Sequence, residues 1–264
     1  MTPTVPDIPD ARHGPVEIEF VGHATVRIEV AGVRVLTDPF LRTSLGPLER
    51  HGPVPDAVAE TDIDLVLVSH GHPDHFDPTS LRSLRGSPAI VVPRGLGPWA
   101  RRVVTGDVIE VEAGTRVTVA GLDIDVVPAS HWISPGAPRA KPVGYVLDAG
   151  PRVYFAGDTG RFDGLDRVLT AVDVALLPVW TWGPHRGPGH LGPRSAAQAL
   201  ASAGPTVAVP IHWGTLYPRR LHHVWSGPLR EPGDRFAEHA ASLAPDTSVR
   251  VLRPGGITAI DTTH

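Results

Sequence analysis

Ser69-His70-Gly71-His72-Pro73-Asp74-His75-Phe76-Asp77 follows directly on the apolar run Leu65-Val66-Leu67-Val68. Three imidazoles and a carboxylate within positions 70–75, at the end of a buried strand, are hard to explain by packing. Imidazole and carboxylate are preferred ligands of Zn²⁺ and related divalent ions. A tight turn at Gly71-His72-Pro73 lets alternate side chains point into one small volume, so that His70 and His72 can grip one ion while Asp74 and His75 face a second. The bland alternative is a His-rich surface loop, and the rest of the chain argues against it by supplying further ligands.

Those ligands recur where other apolar strands end. His131 follows Ile124–Val127 and its Pro128-Ala129-Ser130, Asp158 follows Tyr154-Phe155-Ala156-Gly157, and His212 follows Val207-Ala208-Val209-Pro210-Ile211. Each alone is a weak signal, since a single His beyond a strand is usually a surface or capping residue. Strand ends that meet at one sheet edge can bring them together from distant parts of the chain.

Around these positions the pattern is of many short strands with helices between them. Val16–Phe20, Thr25–Val30 and Val33–Thr37 read as consecutive antiparallel strands. A Pro- and Gly-rich loop spans 38–62, and a meander covers Val108–Val127. Further strands are expected at Ala89–Val92, Val143–Leu147, Val153–Ala156, Val174–Leu177, Val207–Ile211, Val249–Leu252 and Ile257–Ile260. Short helices are expected around Thr79–Leu84 and Pro98–Val103. In the second half, helices are expected over Arg161–Thr170, Pro193–Ala203 and Pro232–Leu243. Pro at a helix start and Gly204 past its end suit the Pro193 helix. The sequence therefore predicts two face-to-face sheets with helices outside, in a single domain over 1–264 behind a Pro-rich lead over 1–15.

Composition narrows the function. The 264 residues carry a net charge of -4, which gives no electrostatic reason to expect nucleic acid as a partner. There is no cysteine, so disulfides, thiolate nucleophiles and Cys-rich zinc sites are all excluded. The first ten residues have no basic start and no apolar core of a signal peptide, and no apolar stretch reaches transmembrane length. A soluble cytoplasmic protein is the default expectation, with a homo-oligomer left open.

The H-x-H-x-D-H cluster, together with His131, Asp158 (in Gly157-Asp158-Thr159-Gly160) and His212, resembles the metallo-β-lactamase fold superfamily, and the resemblance runs from about Val16 to Ile260. It implies an α/β fold, a four-layered αββα sandwich with the site at one edge of the sheets. It also implies that His70, His72 and His131 hold one metal, that Asp74, His75 and His212 hold a second, and that Asp158 bridges both. Within the superfamily, Phe20-Val21-Gly22-His23-Ala24-Thr25, Thr37-Asp38-Pro39, Leu176-Leu177-Pro178 and Ile211-His212-Trp213-Gly214-Thr215 look like one particular branch. That branch holds N-acyl-phosphatidylethanolamine phospholipase D and L-ascorbate-6-phosphate lactonase-like hydrolases. His131-Trp132 and His190-Leu191-Gly192-Pro193 through Ala197 lean towards the phospholipase D side. The intervening loop, Val179 to Arg186, departs from both patterns, so the substrate is not carried over with the rest.

The chemistry expected is that of a binuclear metal-dependent hydrolase. A hydroxide shared by two divalent ions would attack a phosphodiester, lactone or ester. Zn²⁺ is the leading choice, and Mn²⁺ and Fe²⁺ accept the same ligands. Asp74 is placed to be both ligand and proton shuttle, or a structural ligand alone. His190 could bind a substrate oxygen or donate to a leaving group, or be an exposed loop histidine. Asp38, His23 and Asp77 are candidates for holding the ligands from behind, against the simpler reading of all three as turn residues. Trp180, Trp182 and Arg186 mark a candidate substrate loop for a small-molecule or lipid-like substrate. Competing readings are a non-catalytic metal- or ligand-binding domain, a nuclease, and a diiron redox enzyme. Such diiron enzymes usually carry Glu where this chain has His72.

Overall fold

Val16, Ile18 and Phe20 alternate with Glu17 and Glu19, the period-2 pattern of a strand with one buried face. The computed structural model describes residues 14–56, 58, 61–133, 138–180, 189–202 and 204–262. In it this stretch is β1 (Val16–Gly22), with the three apolar side chains fully buried. It is followed by β2 (Thr25–Val30), β3 (Val33–Thr37), β4 (Ser44–Leu45), β5 (Leu48–Arg50), β6 (Leu65–Leu67), α1 (Pro78–Ser83), β7 (Ala89–Pro93), α2 (Gly97–Ala100) and β8 (Val108–Val111). The chain continues through β9 (Arg116–Val119), β10 (Leu122–Pro128), β11 (Val143–Asp148), β12 (Arg152–Phe155), α3 (Leu165–Thr170), β13 (Val174–Pro178), α4 (Pro193–Leu200) and β14 (Val207–Ile211). It closes with β15 (Leu216–Pro218), α5 (Gly227–Arg230), α6 (Pro232–Leu243), β16 (Ser248–Val249) and β17 (Gly256–Ile260).

Two seven-stranded sheets result, in the orders β17-β1-β2-β3-β6-β7-β8 and β16-β14-β13-β12-β11-β10-β9. Their inner faces share one core, in which Ile18, Leu65, Leu67 and Val91 of the first sheet join Ile124, Tyr145, Val153 and Leu176 of the second. Outside the first sheet, Val66, Ile90 and Val92 pack with Leu81 of α1 and Ala100 of α2. Outside the second lie Leu169 of α3, Ala197 and Leu200 of α4, and Phe236 and Ala240 of α6. This is the four-layered αββα sandwich expected from the sequence.

Strand direction decides where the site falls. β1 and β3 both run antiparallel to β2, and β3, β6 and β7 are mutually parallel. In the second sheet β10 and β12 both run antiparallel to β11, and β12, β13 and β14 are parallel. Within each sheet, the residues following these strands therefore emerge at one common edge. Two hydrogen bonds join those edges: His212 N donates to His23 O at 2.7 Å, and Val143 N to Ser69 O at 3.0 Å.

Several expectations need correction. The meander over Val108–Val127 is split, because β8 pairs parallel with β7 while β9 pairs with β10 in the other sheet. The chain crosses between sheets at Gly114, whose φ of 88° favours glycine. The loop over 38–62 contains the β4–β5 hairpin, and β15 adds to it as a third, three-stranded sheet. Strands of two or three residues carry no readable period, and their partner comes from far along the chain. The expected helix over Arg161–Thr170 starts only at Leu165, after Gly164 in the left-handed region. The strand over Val249–Leu252 shortens to Ser248–Val249. Most of the Pro-rich lead lies outside the described residues.

Candidate metal centre

Six non-glycine residues among those described have positive φ, and three of them, His23 (60°), Asp38 (34°) and His212 (60°), stand just past β1, β3 and β14. Left-handed backbone is sparsely populated by such residues and is held only where the surroundings over-determine it. Here it aims all three side chains back over the sheet edge. Each is almost wholly buried, with exposures of 1%, 0% and 0%.

His70, His72 and His131 form the first group. His72 Nδ1 lies 2.9 Å from His70 Nε2 and 3.0 Å from His131 Nε2. The far side of each of the two other rings is held. His131 Nδ1 donates to the Gly189 carbonyl at 3.0 Å. His70 Nδ1 meets Ser69 Oγ at 2.9 Å, and that hydroxyl donates to Asp38 Oδ2 at 2.5 Å. These contacts leave the Nε2 lone pairs of His70 and His131 facing His72 Nδ1.

Asp74, His75 and His212 form the second group, which His23 also joins. His75 Nδ1 donates to Asp38 Oδ2 at 2.6 Å, and His212 Nδ1 donates to the Trp180 carbonyl at 2.9 Å. Both Nε2 atoms thus turn inward. Asp158 sits against them, with Oδ1 3.2 Å from His212 Nε2 and Oδ2 3.4 Å from His75 Nε2. Its Oδ2 is also 3.5 Å from His190 Nε2, and Asp158 belongs to a possible ligand group with His131 and His190. Asp158 therefore lies between the two groups.

The electrostatics are those of a cation site. Burial opposes charge on Asp74 and on Asp158. The imidazoles outweigh it, His75 and His23 for Asp74 and His212 and His75 for Asp158, and hold both carboxyls well below the usual range. His75 is pushed well above its ordinary value: burial works against its charge, but Asp158, Asp74 and Asp38 surround it. Burial lowers His23 to about 3 and His131 to about 4, which keeps those rings neutral. Three buried carboxylates around one imidazole call for positive charge. In addition His75 Nε2, His212 Nε2, Asp158 Oδ1 and His190 Nδ1 are buried with no hydrogen-bond partner. Buried polar atoms are normally satisfied. His75 Nε2, His212 Nε2 and Asp158 Oδ1, orphaned donors that face one another, fit divalent metal ions, and the His/Asp cluster is large enough for two.

The other candidates are placed as follows. His23 Nε2 donates to Asp74 Oδ2 at 3.0 Å. Asp77 turns away from the imidazoles and caps α1, accepting from Ser80 N at 3.0 Å and Ser80 Oγ at 2.6 Å. Trp180 contributes its carbonyl to His212 and its ring to a cleft of about 850 Å³ lined also by Leu48, Tyr217, Leu221 and Trp225. Trp182 and Arg186 lie outside the described residues. Sequence reasoning missed Ser69 as the link between Asp38 and His70, although it opens the decisive stretch. It also missed the carbonyls of Gly189 and Trp180, which no side-chain pattern could have revealed.

Fold and site together define a metal-dependent hydrolase scaffold of the β-lactamase superfamily. The chain belongs to that superfamily, residues 33–213 matching the model of the Beta-lactamase superfamily domain. It is similar to a UPF0173 metal-dependent hydrolase of Methanopyrus kandleri, 34% identical over 248 residues that cover 91% of this chain and 98% of that protein. A UPF0173 metal-dependent hydrolase of Thermus thermophilus is 30% identical over 250 residues, covering 93% and 100%. Among solved structures, Igni18, a metallo hydrolase from Ignicoccus hospitalis, shares the fold with a TM-score of 0.73 at 24% identity, covering 94% of this chain and 100% of that one.

Proposed function

We propose that this protein is a binuclear metal-dependent hydrolase of phosphodiesters or of lactones and related esters. His70 Nε2, His72 Nδ1 and His131 Nε2 would hold one divalent ion. Asp74, His75 Nε2 and His212 Nε2 would hold the second, and Asp158 would span both. The observation that carries this reading is the position of Asp158, with carboxylate oxygens 3.2 and 3.4 Å from two inward imidazole nitrogens and a place in the His131 group as well. Zn²⁺ suits the donor set best, and Mn²⁺ or Fe²⁺ would accept it. Two such ions polarise an electrophilic oxygen and make water acidic enough to act as a nucleophile near neutral pH.

The chain's own residues do the rest. Asp74, held from behind by His23, orients the attacking water and passes its proton to the leaving group. His190, with Nδ1 unpartnered and Nε2 turned to Asp158, binds a substrate oxygen or protonates the departing one. The apolar cleft beside Trp180 suits a lipid-like or otherwise apolar portion of the substrate, which favours the phospholipase D-like alternative. Trp182 and Arg186, which follow Trp180 in the sequence, are the further candidates for substrate contact.

The test is elemental analysis of protein purified without added metal, run beside hydrolysis of bis(p-nitrophenyl) phosphate and of a simple lactone. The expected result is at least two equivalents of Zn or Mn, with turnover abolished by chelation. Full metal content without turnover on any phosphodiester, lactone or ester would leave a non-catalytic metal-binding domain as the better account.

A further inference from the structure

The two signatures of the metal centre recur at a second place. On the three-stranded sheet, Glu49 and His51 project from and just beyond β5 on one face, since alternate strand residues share a face. Opposite them stands His222, in the short 3-10 turn Leu221–His223 that follows β15. Glu49 Oε1 is 3.3 Å from His222 Nδ1 and 3.5 Å from His51 Nε2, and the two imidazole rings are 4.6 Å apart. One ligand atom from each of the three residues lies within 4.8 Å of the other two.

The first signature is spacing. Ligands about 2.0–2.1 Å from a tetrahedral zinc are about 3.3–3.4 Å from one another. In the principal cluster, the inward Nε2 atoms of His75 and His212 lie 3.2 to 3.6 Å from oxygens of Asp74 and Asp158, the same range. The second is orphaned donors. His51 Nε2 and His222 Nδ1 are both buried at the atom level without a hydrogen-bond partner, as are His75 Nε2 and His212 Nε2. A plain ion pair between Glu49 and an imidazolium would align an N–H on the carboxylate, and neither nitrogen does so. Burial, followed by repulsion from His222, also lowers His51 and favours its neutral, ligating form.

We propose that Glu49, His51 and His222 form a separate binding site for a divalent cation of the zinc class, with Glu49 Oε1, His51 Nε2 and His222 Nδ1 as protein ligands and a fourth position open to solvent or ligand. Three protein donors of the His₂Glu type with one open position are a known zinc arrangement. The site ties the 221–223 turn to β5. Leu48 of β5 and Leu221 of that turn, with Tyr217 and Pro218 of the neighbouring β15, line the apolar cleft beside Trp180. Cation binding here would brace that wall of the cleft.

The experiment is equilibrium dialysis of the chelator-stripped full chain against micromolar Zn²⁺, comparing wild type with His51→Ala, His222→Ala and Glu49→Gln. Each variant is expected to bind one equivalent fewer than wild type. Reading a difference keeps the result independent of whatever the principal centre holds. With Co²⁺ in place of Zn²⁺, the same variants should lose the visible absorbance of one tetrahedral cobalt. Glu49→Gln keeps the side-chain shape and His222 lies in a surface turn, so far-ultraviolet circular dichroism should match wild type for both. Equal stoichiometry in wild type, His222→Ala and Glu49→Gln would overturn the proposal. So would a loss confined to His51→Ala.

Discussion

Asp38 is not among the proposed metal ligands, yet it touches both groups. One oxygen takes the Ser69 amide at 2.6 Å, and the other takes both the Ser69 hydroxyl and His75 Nδ1. Through these it orients His75 directly and His70 by way of Ser69. Removing such a supporting acceptor typically costs 10- to 100-fold in metal affinity, roughly. Asp38→Asn keeps a residue that tolerates left-handed backbone but loses the charge. It should weaken Zn²⁺ binding by about that factor in a competition titration against a chromophoric chelator. Unchanged affinity would mean that Asp38 is structural only. Asp158→Ala and His212→Ala should each lose metal and turnover together while the protein stays soluble. Full metal content and turnover in either variant would refute the ligand assignment.

At the scale of elements, two positions separate support of the fold from support of the site. Asp77 caps α1 and also meets Arg42 Nη1 at 3.4 Å. Losing an N-cap costs about 1 kcal/mol, at most about 2. Asp77→Ala should therefore lower the unfolding free energy measured in urea by that amount with metal stoichiometry unchanged, whereas metal loss would make it part of the site. Gly157, immediately before Asp158, has φ 57° and no room for a Cβ, which would collide with Ser69 Cβ and lie 2.7 Å from Ser69 Oγ. Gly157→Ala strains the backbone and displaces the Asp38–Ser69–His70 chain together. It should cost about 2–3 kcal/mol and reduce metal content, measured by denaturant unfolding and elemental analysis. A stable, fully loaded variant would show that the two sheets can part there without harm.

Across the whole molecule, the cluster pins the two sheets at one edge, and its buried carboxylates and imidazoles face one another at the cost of their hydration. Ions that bind only the folded state stabilise it by mass action, about 4 kcal/mol at 1,000 times the dissociation constant. Stripping with a chelator should therefore lower the melting temperature, and added Zn²⁺ should restore it. A melting temperature indifferent to metal would argue that the centre forms without ions. Among the described residues no helix is long and apolar enough to cross a membrane.

The H-x-H-x-D-H stretch, the strand-end positions of His131, Asp158 and His212, and most strand cores were legible in the linear sequence. Period-2 burial and the residue types that metals select are local properties of the chain. Other features were decided only by tertiary structure: the division of the Val108–Val127 strands between two sheets, the third sheet built by β4, β5 and β15, and the turning of Asp77 to a helix instead of an imidazole. The same holds for the carbonyls of Trp180 and Gly189 as ring anchors, and for the meeting of Glu49 and His51 with His222. Each depends on which distant segment pairs with which. That choice is made by burying whole sheet faces against each other, and no local pattern carries it.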